Sequence, residues 1–152
     1  TKWNPTFGLT LDWSSGDREA DDGKINSFNP MFVNPGLYNL AVVNTPVNLL
    51  NIHPSITIFP SKNMMINLEY SFFYRASSND GIYSPSNRLA QAASVLDNRH
   101  IGNTIGLFLV YNFNRNLNFN LRSSYYIAGD FTKSLGLANN LFQFSPTLEY
   151  KF

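Results

Sequence analysis

Six stretches of the chain carry apolar residues at alternate positions, and a period of two fits an extended strand with two unlike faces. The first, about 2–14, sets Trp3, Phe7, Leu9, Leu11 and Trp13 against Asn4, Thr6, Gly8, Thr10 and Asp12. The second, about 51–60, sets Ile52, Ile56 and Ile58 against His53, Ser55 and Thr57. In the third, about 64–76, Met64, Ile66, Leu68, Tyr70, Phe72 and Tyr74 oppose Asn67, Glu69, Ser71 and Arg75. The fourth, about 101–113, sets Ile105, Leu107, Leu109, Tyr111 and Phe113 against Thr104, Gly106 and Asn112. The fifth, about 117–131, sets Leu117, Phe119, Leu121, Tyr125 and Ile127 against Asn118, Asn120, Arg122 and Ser124. In the sixth, 144–152, Phe144, Pro146, Leu148, Tyr150 and Phe152 share one face, with Ser145, Thr147, Glu149 and Lys151 on the other. Pro5, Pro54 and Pro146 fall inside these stretches, where a missing N–H donor marks a strand start or a bulge.

The connections alternate in length. Ser61-Lys62-Asn63 and Asn114-Arg115-Asn116 are tight turns of turn-favouring residues, whereas the segments of about 15–50, 77–100 and 132–140 are long. Short turns at one end and long loops at the other are the habit of outer-membrane barrels, whose short turns face the periplasm. Within the long loops, the apolar run Leu37 to Leu50, interrupted by Pro46, suggests a plug, a lid or a short broken helix. Ser86 to Ala93 has the composition of a short helix capped by Ser86.

Composition decides between a lipid-facing and a core-facing apolar side. Charged residues are 14% of the chain and nearly balanced, 11 basic against 10 acidic, which leaves no field to attract nucleic acid. The polar faces are built from Asn, Ser, Thr and Gly rather than from the Lys and Glu that coat soluble sandwiches. Aromatics make up 15% of residues and gather near strand ends. Trp13, Tyr70, Phe72, Tyr74 and Tyr125 lie toward the long loops; Tyr111, Phe113, Tyr150 and Phe152 lie toward the short turns. Two aromatic bands around an aliphatic middle match the girdles of a bilayer-spanning barrel. The strands also exceed the soluble mode of about 5–6 residues and suit a tilted crossing of about 9–11. The expected fold is therefore all-β, an antiparallel transmembrane β-barrel in a bacterial outer membrane. A soluble ligand-binding barrel is the bland alternative.

Six strands fall short of the 8 at which known single-chain membrane barrels begin, and open edges in lipid leave backbone groups unpaired. The missing strands come either from the rest of a longer chain or from other copies of this one.

Little else carries chemistry. The chain has no cysteine, and no apolar run approaches the roughly 18–20 residues of a membrane-crossing helix. Asp17, Asp21 and Asp22 are weak candidates for a calcium site, and their spacing departs from the EF-hand template. His53 and His100 lack metal-ligand spacing, and no G-x-S-x-G occurs. Neither an enzyme nor a cofactor is expected.

The stretches SGDREADDGKINSFNPMF (15–32), NLLNIHPSITIFPSKNMMINLEYSFFYR (48–75), SNDGIYSPSN (78–87), RHIGNTIGLFLVYNF (99–113) and SYYIAGDF (124–131) resemble the C-terminal part of the alginate-export family of outer-membrane porin-like barrels. The resemblance implies a barrel of about eighteen strands, of which this chain supplies the last six. It also implies that Leu148, Tyr150 and Phe152 form the assembly signal read by the barrel-assembly machinery. The expected function is a channel for a hydrophilic solute such as a saccharide or a polyuronate. The alternative is a scaffold barrel whose lumen is plugged by the 37–50 loop and whose outer loops hold a partner complex.

The expected lumen face carries Arg75, Arg122 and Lys151 against Asp12, Glu69, Asp130 and Glu149. That lining is mixed rather than uniformly basic. It fits cross-strand pairs that stiffen the wall, with Arg75 and Arg122 as the residues expected to touch a passing solute.

Overall fold

The computed structural model describes residues 3–19, 22–32, 45–84, 88–93 and 97–152. Six long strands form one antiparallel sheet: β1 (Thr6–Ser14), β2 (Leu49–Ser61), β3 (Met64–Tyr74), β6 (His100–Asn112), β7 (Leu117–Ala128) and β8 (Leu141–Tyr150). Their order in the sheet is β1-β2-β3-β6-β7-β8, so every long strand lies beside its neighbour in sequence. Between β3 and β6 a small hairpin intervenes, β4 (Ile82–Tyr83) with β5 (Leu89–Gln91), and between β7 and β8 lies the one-turn helix α1 (Asp130–Ser134). β1 and β8 are the two open edges.

The register keeps the two faces unmixed. Phe7, Ile56, Leu68, Leu107, Ser123 and Phe144 follow one another across all six strands, as do Gly8, Ser55, Glu69, Gly106, Ser124 and Gln143 one residue away on the opposite face. Among the described residues no second layer covers the apolar face. Phe7 is 76% exposed, Trp13 66% and Leu148 66%, values far from those of a packed core. Aromatic pairs sit near the ends of this face, among them Tyr70 with Phe72, Tyr111 with Phe113 and Tyr150 with Phe152.

Each proline finds a physical solution. Pro5 precedes β1, because Asn4 adopts a left-handed φ of 46° that ends the extended run. Pro146 lies on the edge strand β8 opposite Leu121, where a missing donor can point away from the ladder. Pro54 sits in an interior strand, and the β2–β3 ladder has no paired positions at His53 and Pro54.

The long loops differ from expectation in two places. Residues 89–91 form a strand rather than the expected helix, and Ser86 lies outside the described residues. The third loop begins with α1, whose formation takes Asp130 and Phe131 out of the expected fifth strand. Of the apolar 37–50 run, residues 37–44 lie outside the described residues, while Val47 and Leu49 are buried.

The core sits at the long-loop end. A bulge between Phe73 and Tyr74 skips Ile101 and turns it inward. Ile101 then packs with Leu49, Phe73 and Phe131, flanked by Ile82 and Leu135. Tyr126 closes this cluster by donating from its hydroxyl to the Ile101 carbonyl at 2.8 Å. Because Phe73, Gly102 and Ala128 share the polar-face register, α1 and the β3–β6 loop fold over that face rather than over the apolar one.

Candidate functional site: a polar wall and its outer latch

Two features occupy the polar face, an open wall along the strands and a tied set of loops at its outer end. On the wall, the row below Glu69 runs Thr6, Thr57, Asn67, Phe108, Arg122 and Ser145. Arg122 is exposed and holds its guanidinium carbon 4.9 Å from the Phe108 ring centre, a cation–π distance. Phe108, Asn120, Arg122, Ser145 and Thr147 line a hollow of about 350 Å³. Neither salt bridge among the described residues includes Arg122. Its charge faces the open side.

Two acidic groups, Asp12 and Glu69, lie on the other half of the wall, while Glu149 is on β8 beyond the Arg122 hollow. His53 Nε2 is 3.3 Å from Glu69 Oε2, with the side chains 17% and 33% exposed. Glu69 bends over Gly106, where an added Cβ would come within 2.5 Å of Glu69 Cγ. Asp12 accepts a hydrogen bond from Asn51 Nδ2 at 3.1 Å. Lys151 Nζ and Glu149 Oε1 are 3.7 Å apart, both largely exposed at the short-turn end, a pair of the kind that contributes little stability.

The outer latch is built from residues the alternation does not mark. Asp80 Oδ2 accepts from Ser27 Oγ at 2.5 Å and from the Asp17 amide at 2.9 Å, while Oδ1 accepts from the Gly81 amide and from Tyr83 Oη. Burial pushes the Tyr83 phenol above its ordinary value, so it stays a donor. Asn48 is fully buried with φ at 49°; its amide donates to the Ser77 and Gly81 carbonyls, and its Oδ1 accepts from the Ser77 amide. Gly16 has no side chain because Asn48 fills the space a Cβ would take.

Arg75 departs from the expected role. It is 1% exposed and stacks 3.8 Å over the Phe131 ring. Its guanidinium donates to the carbonyls of Asn98, Ser78 and Asp80. Its donors are taken up by carbonyl oxygens of the 75–80 turn and of Asn98 rather than left facing the open side. Asp130 also leaves the wall, since it opens α1 at the rim, where a carboxylate suits a helix N-terminus.

Two of the weak metal candidates are engaged in local turns. Asp17 Oδ1 caps the Glu19 amide, Asp22 Oδ1 caps the Lys24 amide, and Asp21 lies outside the described residues. Among the described residues no three acidic, histidine or cysteine side chains gather to hold an ion.

From the latch comes a first expected result. Asn48→Ala removes three buried hydrogen bonds and leaves alanine in a left-handed backbone, at a cost of about 2–4 kcal/mol. Faster proteolysis of the 75–84 segment measures it. Asn48→Gly should recover the part due to backbone strain.

A sheet whose strands cross at membrane length, greasy on one side and polar on the other, with short turns below and fastened loops above, is the wall of a transmembrane β-barrel of the outer-membrane type. The chain belongs to the alginate-export family, whose sequence model matches residues 1–141. The match takes in the first five long strands and ends where β8 begins. No curated protein matches the sequence. The family is of an export, porin type rather than an enzymatic one.

Proposed function

We propose that this chain forms one arc of an outer-membrane export channel of about eighteen strands that passes a hydrophilic, negatively charged saccharide such as a polyuronate. The single observation that supports the cargo is Arg122, a cation held over Phe108 in a hollow edged by the hydroxyls of Ser145 and Thr147 and the amide of Asn120. Planar guanidinium groups bind carboxylates in two-point fashion, and hydroxyls and amides match sugar hydroxyls. In planar bilayers, the full-length protein should conduct, and an oligouronate should block the current more strongly than a neutral oligosaccharide of equal length. Arg122→Gln should weaken that block about tenfold, the effect of one charge-assisted hydrogen bond. Equal block by charged and neutral sugars, unaltered in the variant, would remove the anionic cargo.

The partners follow from the same reading. Lipid acyl chains wet the apolar face, further strands pair with the edges of β1 and β8, and the barrel-assembly machinery reads Leu148, Tyr150 and Phe152. Replacing Tyr150 with Asn should lower the amount of folded protein in the outer membrane without slowing its synthesis, as fractionation would measure.

A second reading, a scaffold barrel with an occluded lumen, draws on the burial of Val47, Leu49 and Phe131 over the polar face. It predicts stable co-purification with a protein complex and no conductance even after the outer loops are shortened.

A further inference from the structure

We propose that the His53–Glu69 pair is a proton-operated charge selector on the lumen wall, one that sets how readily anions enter this arc of the pore. The inference rests on the channel reading given above. Its geometry is local and complete. The imidazole and the carboxylate meet at 3.3 Å on the polar face, and neither is sealed from the lumen, at 17% and 33% exposure. Gly106 on the neighbouring strand leaves the room into which Glu69 bends. His53 occupies the stretch of β2 where the ladder to β3 lacks paired positions, beside Pro54.

The charged surroundings of His53 are few. From β1 comes Asp12, two residues from its Cα partner Thr10, and from β3 comes Glu69. On β6 the nearby polar-face residues are Thr104, Gly106 and Phe108, none of them ionisable. On β7 Tyr126 is buried under the outer cluster, and Arg122 points into its own hollow beside Phe108. Among the described residues, two carboxylates and one imidazole therefore set the potential of this half of the wall.

An imidazole has an ordinary pKa of about 6.5 and changes charge between pH 5 and 8. Above that window the cluster carries two negative charges and repels anions. Below it, the protonated imidazole removes one unit of that repulsion. Arginine side chains keep their charge over this range, so the wall swings toward anions as pH falls. One charge some 7 Å from a passing ion in water changes its occupancy about two- to threefold.

Reversal potentials of the full-length protein in planar bilayers under a potassium chloride gradient test this between pH 5.5 and 8. The anion-to-cation permeability ratio should rise about fivefold as pH falls, since the charge that draws anions repels cations equally, and H53Q should hold the high-pH ratio throughout. E69Q should raise the ratio at every pH, and it supplies the test should H53Q fail to insert. H100Q, which alters an imidazole stacked on Tyr74 at the outer rim, should keep the wild-type profile. A wild-type ratio that does not move with pH, or a pH response retained in H53Q or lost in H100Q, would overturn the selector while leaving the channel intact. A full-length protein that never conducts would instead remove the channel and the selector together.

Discussion

Arg75→Met is expected to loosen the outer end of the sheet more than any other single replacement on it. The side chain donates to three different carbonyls and lies flat on Phe131 while almost wholly out of contact with solvent. Methionine fills much of the volume but leaves those carbonyls buried and unpaired, at about 1–3 kcal/mol each before relaxation. A loss of about 3–5 kcal/mol in local stability follows. Limited proteolysis in detergent should cut the β3–β6 segment at least tenfold faster, while the strands below stay intact. Arg75→Lys should not rescue it, because one ammonium cannot span carbonyls that the planar fork reaches together. If cleavage stayed at the wild-type rate and anion current fell instead, Arg75 would belong to the solute path after all.

The second large effect separates the two faces. Leu107 lies near the middle of β6 in the apolar row, between Leu68 and Ser123. Leu107→Arg should destabilise the folded barrel by about 2–4 kcal/mol, the cost of a cation facing lipid near the bilayer midplane. Asn120→Arg, in the hollow beside Arg122, should cost well under 1 kcal/mol and raise anion selectivity. Urea unfolding of the full-length protein in liposomes compares the two. Equal costs would mean that the greasy face does not meet hydrocarbon.

The strands were readable because alternation is a local property: each two-faced run reports its own conformation and the polarity on either side. That is why the face assignments of Leu68, Leu107 and Arg122 hold residue by residue. The tight turns at 61–63 and 114–116 were readable for the same reason, through their own side-chain chemistry. The latch was not. Arg75 continues the alternation of β3 and so looks like one more lumen residue, but the bulge at Ile101 and the approach of Phe131 from 56 positions later change what it meets. Asn48 carries no local mark at all; its role depends on a left-handed backbone and on carbonyls about thirty residues downstream. The stretches SGD, DGIY and AGDF did flag the region through resemblance. They turn out to supply Asp17, Asp80, Tyr83 and Phe131 to the loop fastening rather than to the open wall.

The carbonyl fork at Arg75 also bears on how such a pore controls traffic. A segment held by guanidinium bonds to three carbonyls and an aromatic stack is a lintel rather than a door: swinging it aside breaks every one of those contacts at once. In the proposed channel, the described 75–80 stretch would therefore form a fixed part of the outer rim rather than a hinge that opens on demand.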